Sequence, residues 1–107
     1  MTPPRASIII RCYNEAEHIG NLLHGISEQT VEDIEVVLVD SGSTDGTLKI
    51  AEEYGVDQIE YIDPENFSFG RALNYGCEAA NGNFCVIASA HVYPKREDWI
   101  EQLLSKF

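Results

Sequence analysis

Apolar and polar positions follow two rhythms along this chain. Continuous aliphatic runs occupy residues 6–10, 36–39 and 83–88, and a looser alternation occupies 58–62. Unbroken runs of this kind suit strands buried on both faces, as in a parallel sheet. Glu60 interrupts the run at 58–62, which predicts an edge strand. Between the runs, apolar residues recur every three or four positions. Ile19, Leu22, Leu23 and Ile26 form one such stripe, and Leu48 and Ala51 belong to another. Leu73, Gly76, Cys77 and Ala80 make a third, and Ile100, Leu103, Leu104 and Phe107 a fourth, so four amphipathic helices are predicted.

Boundary residues support these helices. Asn14 with Glu17 three positions on has the form of a capping box for the first. Thr44 or Asp45 can cap the second, running from Gly46 towards Tyr54 with Gly55 as its C′ residue. Ser68 can cap the third, which Asn81 and Gly82 end, and the fourth starts near Glu97. Residues 1–5 read as a tail, and 63–67 as a loop.

Strands alternating with helices imply one α/β domain over residues 1–107. It is expected to be a three-layer, Rossmann-like parallel sheet with right-handed crossovers and helices on both faces. The expected strand order is 3-2-1-4, with a switch point between strands 1 and 4. There the turn at 12–15 faces the turn at 89–91, and Asp40 ends the strand beside them. Ligands of open α/β sheets bind at such a crevice.

Charge narrows the choice of ligand. Seven Lys plus Arg against eighteen Asp plus Glu give a net charge of −11, which repels phosphate backbones and makes nucleic acid a poor partner. An anionic small ligand needs local help from a metal, an arginine or helix N-termini. Cys12, Cys77 and Cys85 form no CxxC pair and lie in apolar segments, pointing to reduced thiols and a cytoplasmic setting. No apolar run approaches membrane-spanning length. The first turn lacks GxGxxG, and GxxxxGK[ST] is absent, so dinucleotide oxidoreductases and P-loop enzymes fit poorly. A receiver domain would need paired acids after strand 1, where Cys12, Tyr13 and Asn14 stand.

Four stretches carry a resemblance: SIIIRCYNE at 7–15, VLVDSGSTDGT at 37–47, FGRALNYG at 69–76 and ANGNF at 80–84. Together, in this order and spacing, they resemble family 2 glycosyltransferases of GT-A fold. The resemblance implies that residues 1–107 form the nucleotide-sugar-binding half of a catalytic domain. It implies inverting transfer from a nucleoside-diphosphate sugar to a saccharide or lipid-linked acceptor. The acceptor half, with the catalytic base, lies outside these residues, so no catalytic residue is assigned. Glu97, Asp98 and Glu101 read as an acidic first turn of a helix. Self-association is left open.

The resemblance assigns Cys12, Tyr13, Asn14, Glu15, Asp40, Gly42, Ser43, Arg71, Asn74, Ser89 and Ala90 to the nucleotide sugar. Tyr13 can stack on the base while the Cys12 backbone reaches its edge, a contribution of about 1–3 kcal/mol. Asp40 can accept an N–H from uracil or thymine, which favours UDP- or dTDP-type donors. Glu15 suits the ribose or the loop, or caps a helix, and Asp45 suits a cap better than a ligand. Arg71, in the first turn of the third helix, can reach diphosphate, with Asn74 on the same wall. Two departures stand out. Arg11 occupies a position where the family usually has proline, and Ser89-Ala90-His91 replaces its Asp-x-Asp. Serine can still bond ribose, and His91 can still ligate a divalent ion, Mn²⁺ or Mg²⁺. The polypeptide N-acetylgalactosaminyltransferases are similar in having histidine there. The rival expectation is a degenerate, non-catalytic module that binds a nucleotide or a protein. His18 and His24 read as surface residues.

Overall fold

The isoleucine run forms the middle of the sheet. In the computed structural model, which describes residues 3–31, 33–66, 68–90 and 99–105, Ala6–Cys12 is β1. It is followed by α1 (Ala16–Ser27), β2 (Ile34–Asp40), α2 (Thr47–Glu53) and β3 (Gln58–Tyr61). A 3-10 turn (Pro64–Asn66), α3 (Phe69–Ala79), β4 (Phe84–Ser89) and α4 (Trp99–Leu104) complete the described chain. The sheet is parallel with order β3-β2-β1-β4, so the expected order and the edge position of β3 hold. No helix among the described residues is long and apolar enough to cross a membrane.

Side chains of β1 alternate between two cores. Ile8, Ile10 and Cys12 pack with Leu38 and Ala88 against Ile19, Leu22, Leu23 and Ile26 of α1 and Ile100 and Leu104 of α4. Ile9 packs with Val37, Val39 and Ile62 against Ala72 of α3 on the other face. Ile8, Ile9 and Ile10 are all fully buried, each contributing about 2 kcal/mol relative to an exposed side chain. That two-sided burial is why the strand reads as an unbroken apolar run.

Two expectations need correction. The N-cap residue of α1 is Glu15, without a side-chain cap bond, and Asn14 turns its side chain to Thr44 instead. The inner stripe of α3 includes Ala72, Leu73 and Gly76, whereas Cys77 faces outward. Cys85 is exposed too, and the two thiols are hydrogen-bonded to each other. Ser68 does cap α3, accepting from the Arg71 N–H at 3.2 Å. The expected start of the last helix at Glu97, and Phe107 of its stripe, lie outside the described residues.

The amino ends of the strands are tied by a buried carboxylate. Glu35 is 6% exposed and accepts from the Ser7 hydroxyl at 2.7 Å, the Asn81 N–H at 2.8 Å, the Asn81 amide at 2.9 Å and the Gln58 amide at 3.0 Å. Gln58 also donates to the Ala79 carbonyl, and the Gly82 N–H donates to the Ser7 hydroxyl. One carboxylate thus joins β1, β2, β3 and the end of α3. Burial by itself would raise its pKa. The donors from Asn81, Ser7 and Gln58 outweigh burial and hold it at about 2.

Two outcomes follow. Glu35→Ala leaves buried donors without an acceptor and is expected to lower stability by about 3 kcal/mol at neutral pH in urea denaturation. Because the folded pKa lies below the ordinary 4.5, this stabilisation is complete above 4.5 and is lost as pH falls towards about 2. The difference between the two proteins should therefore shrink over that window. At Gly76, an added Cβ would lie 2.4 Å from Ile9 Cγ2 and 3.1 Å from Val39 Cγ2. Gly76→Ala is expected to push α3 off the sheet and cost about 1–3 kcal/mol, read as a lower melting midpoint.

Candidate functional site

Strand register brings the turns together. Cys12 lies opposite Asp40, and Arg11 lies opposite both Val39 and Ser89, so β1, β2 and β4 end side by side. The two turns that follow β1 and β2 are stitched by hydrogen bonds across about thirty residues of sequence. The Asn14 N–H donates to Ser43 Oγ at 2.9 Å, the Glu15 N–H to Thr47 Oγ1 at 2.9 Å, and the Ala16 N–H to Asp45 Oδ2 at 3.1 Å. In return, the Thr44 N–H donates to Asn14 Oδ1 at 2.7 Å. The N–H groups leading into α1, from Asn14 to Ala16, are thus satisfied by the turn before α2 and by its first residue, Thr47, in place of a local cap. Asn14 takes a left-handed conformation at φ 50, which asparagine tolerates better than most residues.

Asp45 serves both turns. Its Oδ1 accepts from the Thr47 N–H and the Thr47 hydroxyl while Oδ2 takes Ala16. The Thr47 hydroxyl and these backbone donors hold the Asp45 carboxyl below its ordinary range. The N-cap position of α2 is Gly46, without a side-chain cap bond, so the expected cap at Thr44 or Asp45 is corrected: Asp45 bonds the first N–H of both α1 and α2 from outside the cap position.

Asp40 is 1% exposed. Its Oδ2 accepts from the Gly42 N–H at 3.0 Å and the Ser43 N–H at 2.9 Å, and its Oδ1 accepts from the Ser43 hydroxyl. The Asp40 carbonyl meanwhile takes the Ile62 N–H at 2.9 Å. Asp40 therefore shapes the Ser41–Gly42–Ser43 turn. The Cys12 carbonyl is likewise engaged, by the Ser41 N–H at 3.1 Å. Burial, then the charges of Asp40 and Glu15, push the Cys12 thiol up to about 12, so it stays protonated and is no nucleophile.

Above these turns lies a pocket of about 240 Å³ lined by Arg11, Tyr13, Ser41 and Pro64. Tyr13 is 52% exposed, so a face of its ring is available. Pro64, which starts the 3-10 turn after β3, closes the far side. Gly42 runs beneath it at φ +104, and a Cβ there would lie 3.3 Å from Pro64 Cγ. Sequence reasoning placed Tyr13 at this site but missed Ser41, Pro64 and the structural part of Thr47. Their common signal was position, immediately after the carboxyl end of a strand or one helix start away.

The other candidates lie elsewhere. Arg71 and Asn74 line a separate, open hollow of about 280 Å³ with Tyr75 and Glu78 on the outer face of α3. Ala90 is buried at 2% exposure, directly after β4. His91, the expected metal ligand, lies outside the described residues. Among the described residues, no three His, Cys, Asp or Glu side chains come together to hold a metal ion. A larger hollow of about 300 Å³, lined by Leu23, Ile26, Val31 and Val36 among others, is mostly apolar and lies away from these turns.

An aromatic face, a guanidinium and a hydroxyl thus surround one concave space at the carboxyl edge of a parallel α/β sheet. The sequence profile of glycosyl transferase family 2 matches residues 7–107, and the chain belongs to that family. It is 34% identical over 104 residues to 4,4'-diaponeurosporenoate glycosyltransferase of Staphylococcus aureus, covering 94% of this chain and 28% of that protein. The crystal structure of S. aureus TarS 1-349 superposes with a TM-score of 0.84 at 25% identity, over 94% of this chain and 31% of that one. TarS has also been crystallised with UDP and with UDP-GlcNAc. The mannosyltransferase PcManGT of Pyrobaculum calidifontis, in complex with GDP-Man and Mn²⁺, gives a TM-score of 0.82 at 30% identity, over 97% of this chain and 32% of its own. The chain thus spans about a third or less of the proteins it matches.

The left-handed turn beneath Pro64 gives a direct check. Gly42→Ala is expected to cost about 1–2 kcal/mol from its positive φ, beyond the contact with Pro64. Thermal melting measures the loss.

Proposed function

We propose that this chain is the nucleotide-sugar-binding part of an inverting glycosyltransferase whose acceptor-binding part and catalytic base lie outside these residues. The observation that carries this reading is the pocket of Arg11, Tyr13, Ser41 and Pro64 at the carboxyl edge of the sheet. The base stacks on Tyr13 with Pro64 opposite. Asp40 favours uracil or thymine by accepting the ring N–H at Oδ1, in place of the Ser43 hydroxyl. Asn14 and Glu15 hold the turn and offer Glu15 to the ribose, while the Ser41–Ser43 turn forms one wall.

The diphosphate extends towards β4 and the amino end of α3, where Arg71 supplies charge and Asn74 a neutral donor. In transfer, the acceptor hydroxyl attacks the anomeric carbon from the side opposite the diphosphate. Its proton passes to a base in the rest of the protein, and the sugar–phosphate bond breaks with inversion. A divalent ion, when bound, would neutralise charge on the departing diphosphate. His91 would hold it with phosphate oxygens, and Ser89 would serve the ribose. The Mn²⁺ in the mannosyltransferase complex supports a divalent metal in this family fold.

Calorimetric titration with UDP, dTDP and ADP, with and without Mn²⁺, tests this reading. UDP and dTDP are expected to bind more tightly than ADP, and Asp40→Asn to narrow that gap. Mn²⁺ is expected to strengthen binding of the wild type, with His91→Ala abolishing the enhancement and His91→Asp retaining it. Failure of every nucleotide to bind would favour the protein-interaction module. Nucleotide binding indifferent to Mn²⁺ removes His91 from the site. The isolated chain is expected to transfer no sugar to an acceptor.

A further inference from the structure

Arg11 is the one residue at the pocket that the functional reading leaves without a task. It is the penultimate residue of β1, half-buried, and it alternates onto the sheet face that carries Ile9. It lines the pocket with Tyr13, Ser41 and Pro64, and it is the only charged residue among them. Charge nearby is mostly of the opposite sign, from Asp40, Glu15 and Asp45 in the two turns, in a chain with seven Lys plus Arg in all. A guanidinium beside an exposed tyrosine ring can lie near the plane of a base stacked on that ring and donate N–H groups to its edge. It offers donors only and accepts nothing.

We infer that Arg11 is a specificity-determining residue that reads the base, donating to the carbonyl oxygen of a keto base and rejecting bases that carry an amino group there. The inference rests on the nucleotide-binding reading above and deepens it. Uracil and thymine present O4, and guanine presents O6, as acceptors at this edge. Cytosine presents an N4 amino group and adenine an N6 amino group at the corresponding place, so donor would face donor. In the proposed pose Asp40 supplies the matching acceptor from the turn after β2, at its Oδ1 in place of the Ser43 hydroxyl. A keto oxygen beside a ring N–H requires a donor next to an acceptor, whereas cytosine and adenine require the reverse order. The arrangement accepts uracil and guanine alike, the bases carried by the ligands of TarS and PcManGT.

The cleanest comparison is UDP with CDP, which share ribose and diphosphate and differ at ring positions 3 and 4. Titration calorimetry would measure both, together with uridine and cytidine, on the wild type, Arg11→Met and Arg11→Gln. Met keeps an unbranched apolar stem without a donor, and Gln can either donate or accept. Wild-type protein is expected to bind UDP about tenfold or more tightly over CDP. Each substitution is expected to reduce the UDP-to-CDP ratio about tenfold. In Arg11→Met the change comes from weaker UDP binding with CDP nearly unchanged, and the uridine-to-cytidine ratio changes in parallel. Equal weakening of UDP and CDP would mark Arg11 as a phosphate contact or a structural residue and overturn the inference. An unchanged ratio overturns it too. Absence of any nucleotide binding to the wild type defeats the underlying reading, and the inference with it. Should Arg11→Met melt at a lower temperature, Arg11→Gln decides alone.

Discussion

The site depends on hydrogen bonds that run between two turns distant in sequence. A chain entering a helix from a strand must satisfy its N–H groups, and Asn14, Glu15 and Ala16 do so with Ser43 and Asp45 of the turn after β2 and Thr47 at the start of α2. Because β1 and β2 pair in register up to Cys12 and Asp40, these side chains arrive where the donors are. The carboxylate of Asp40 then folds its own turn back upon itself. Tyr13 and Ser41 are placed by this arrangement. A preorganised turn of this kind reduces the ordering cost of binding.

The same bonds bear on electrostatics. In the proposed pose a chain of net charge −11 hosts an anionic ligand beside Asp40, Asp45 and Glu15. Two of these carboxylates, Asp40 and Asp45, are occupied by N–H and hydroxyl donors, which spread their charge into the turn dipoles. Arg11 and Arg71 stand at separate hollows rather than in one basic patch. In the proposed pose that separation puts one cation at the base end of the ligand and one at its phosphate end.

How far the sequence was legible follows from the range of the interactions. Strand order, edge strand and the α1 stripe were readable because burial on one or two faces imposes a period on neighbouring residues. The Ser68 cap was readable because donor and acceptor lie three residues apart. The cap of α1 was misread because its acceptors come from about thirty positions away and leave no local pattern. Cys77 was assigned to the inner stripe because apolar period alone cannot say where a helix overhangs its sheet. Asp40 was identified as important, but its burial in the turn depends on Gly42 and Ser43 folding back. Glu35 carries no local sequence signal, since its partners Ser7, Gln58 and Asn81 converge only once the sheet has formed.

The Glu35 knot lies at the opposite end of the sheet from the pocket. Four or five residues of strand at about 3.3 Å each put roughly 15 Å between them. Effects of substitutions that far apart, with no shared partners, add nearly independently. The domain can therefore be hardened from one end while the other is altered, and a pocket variant that folds poorly can be rescued without touching its ligand. This separation leaves the pocket free to vary while the knot holds the sheet.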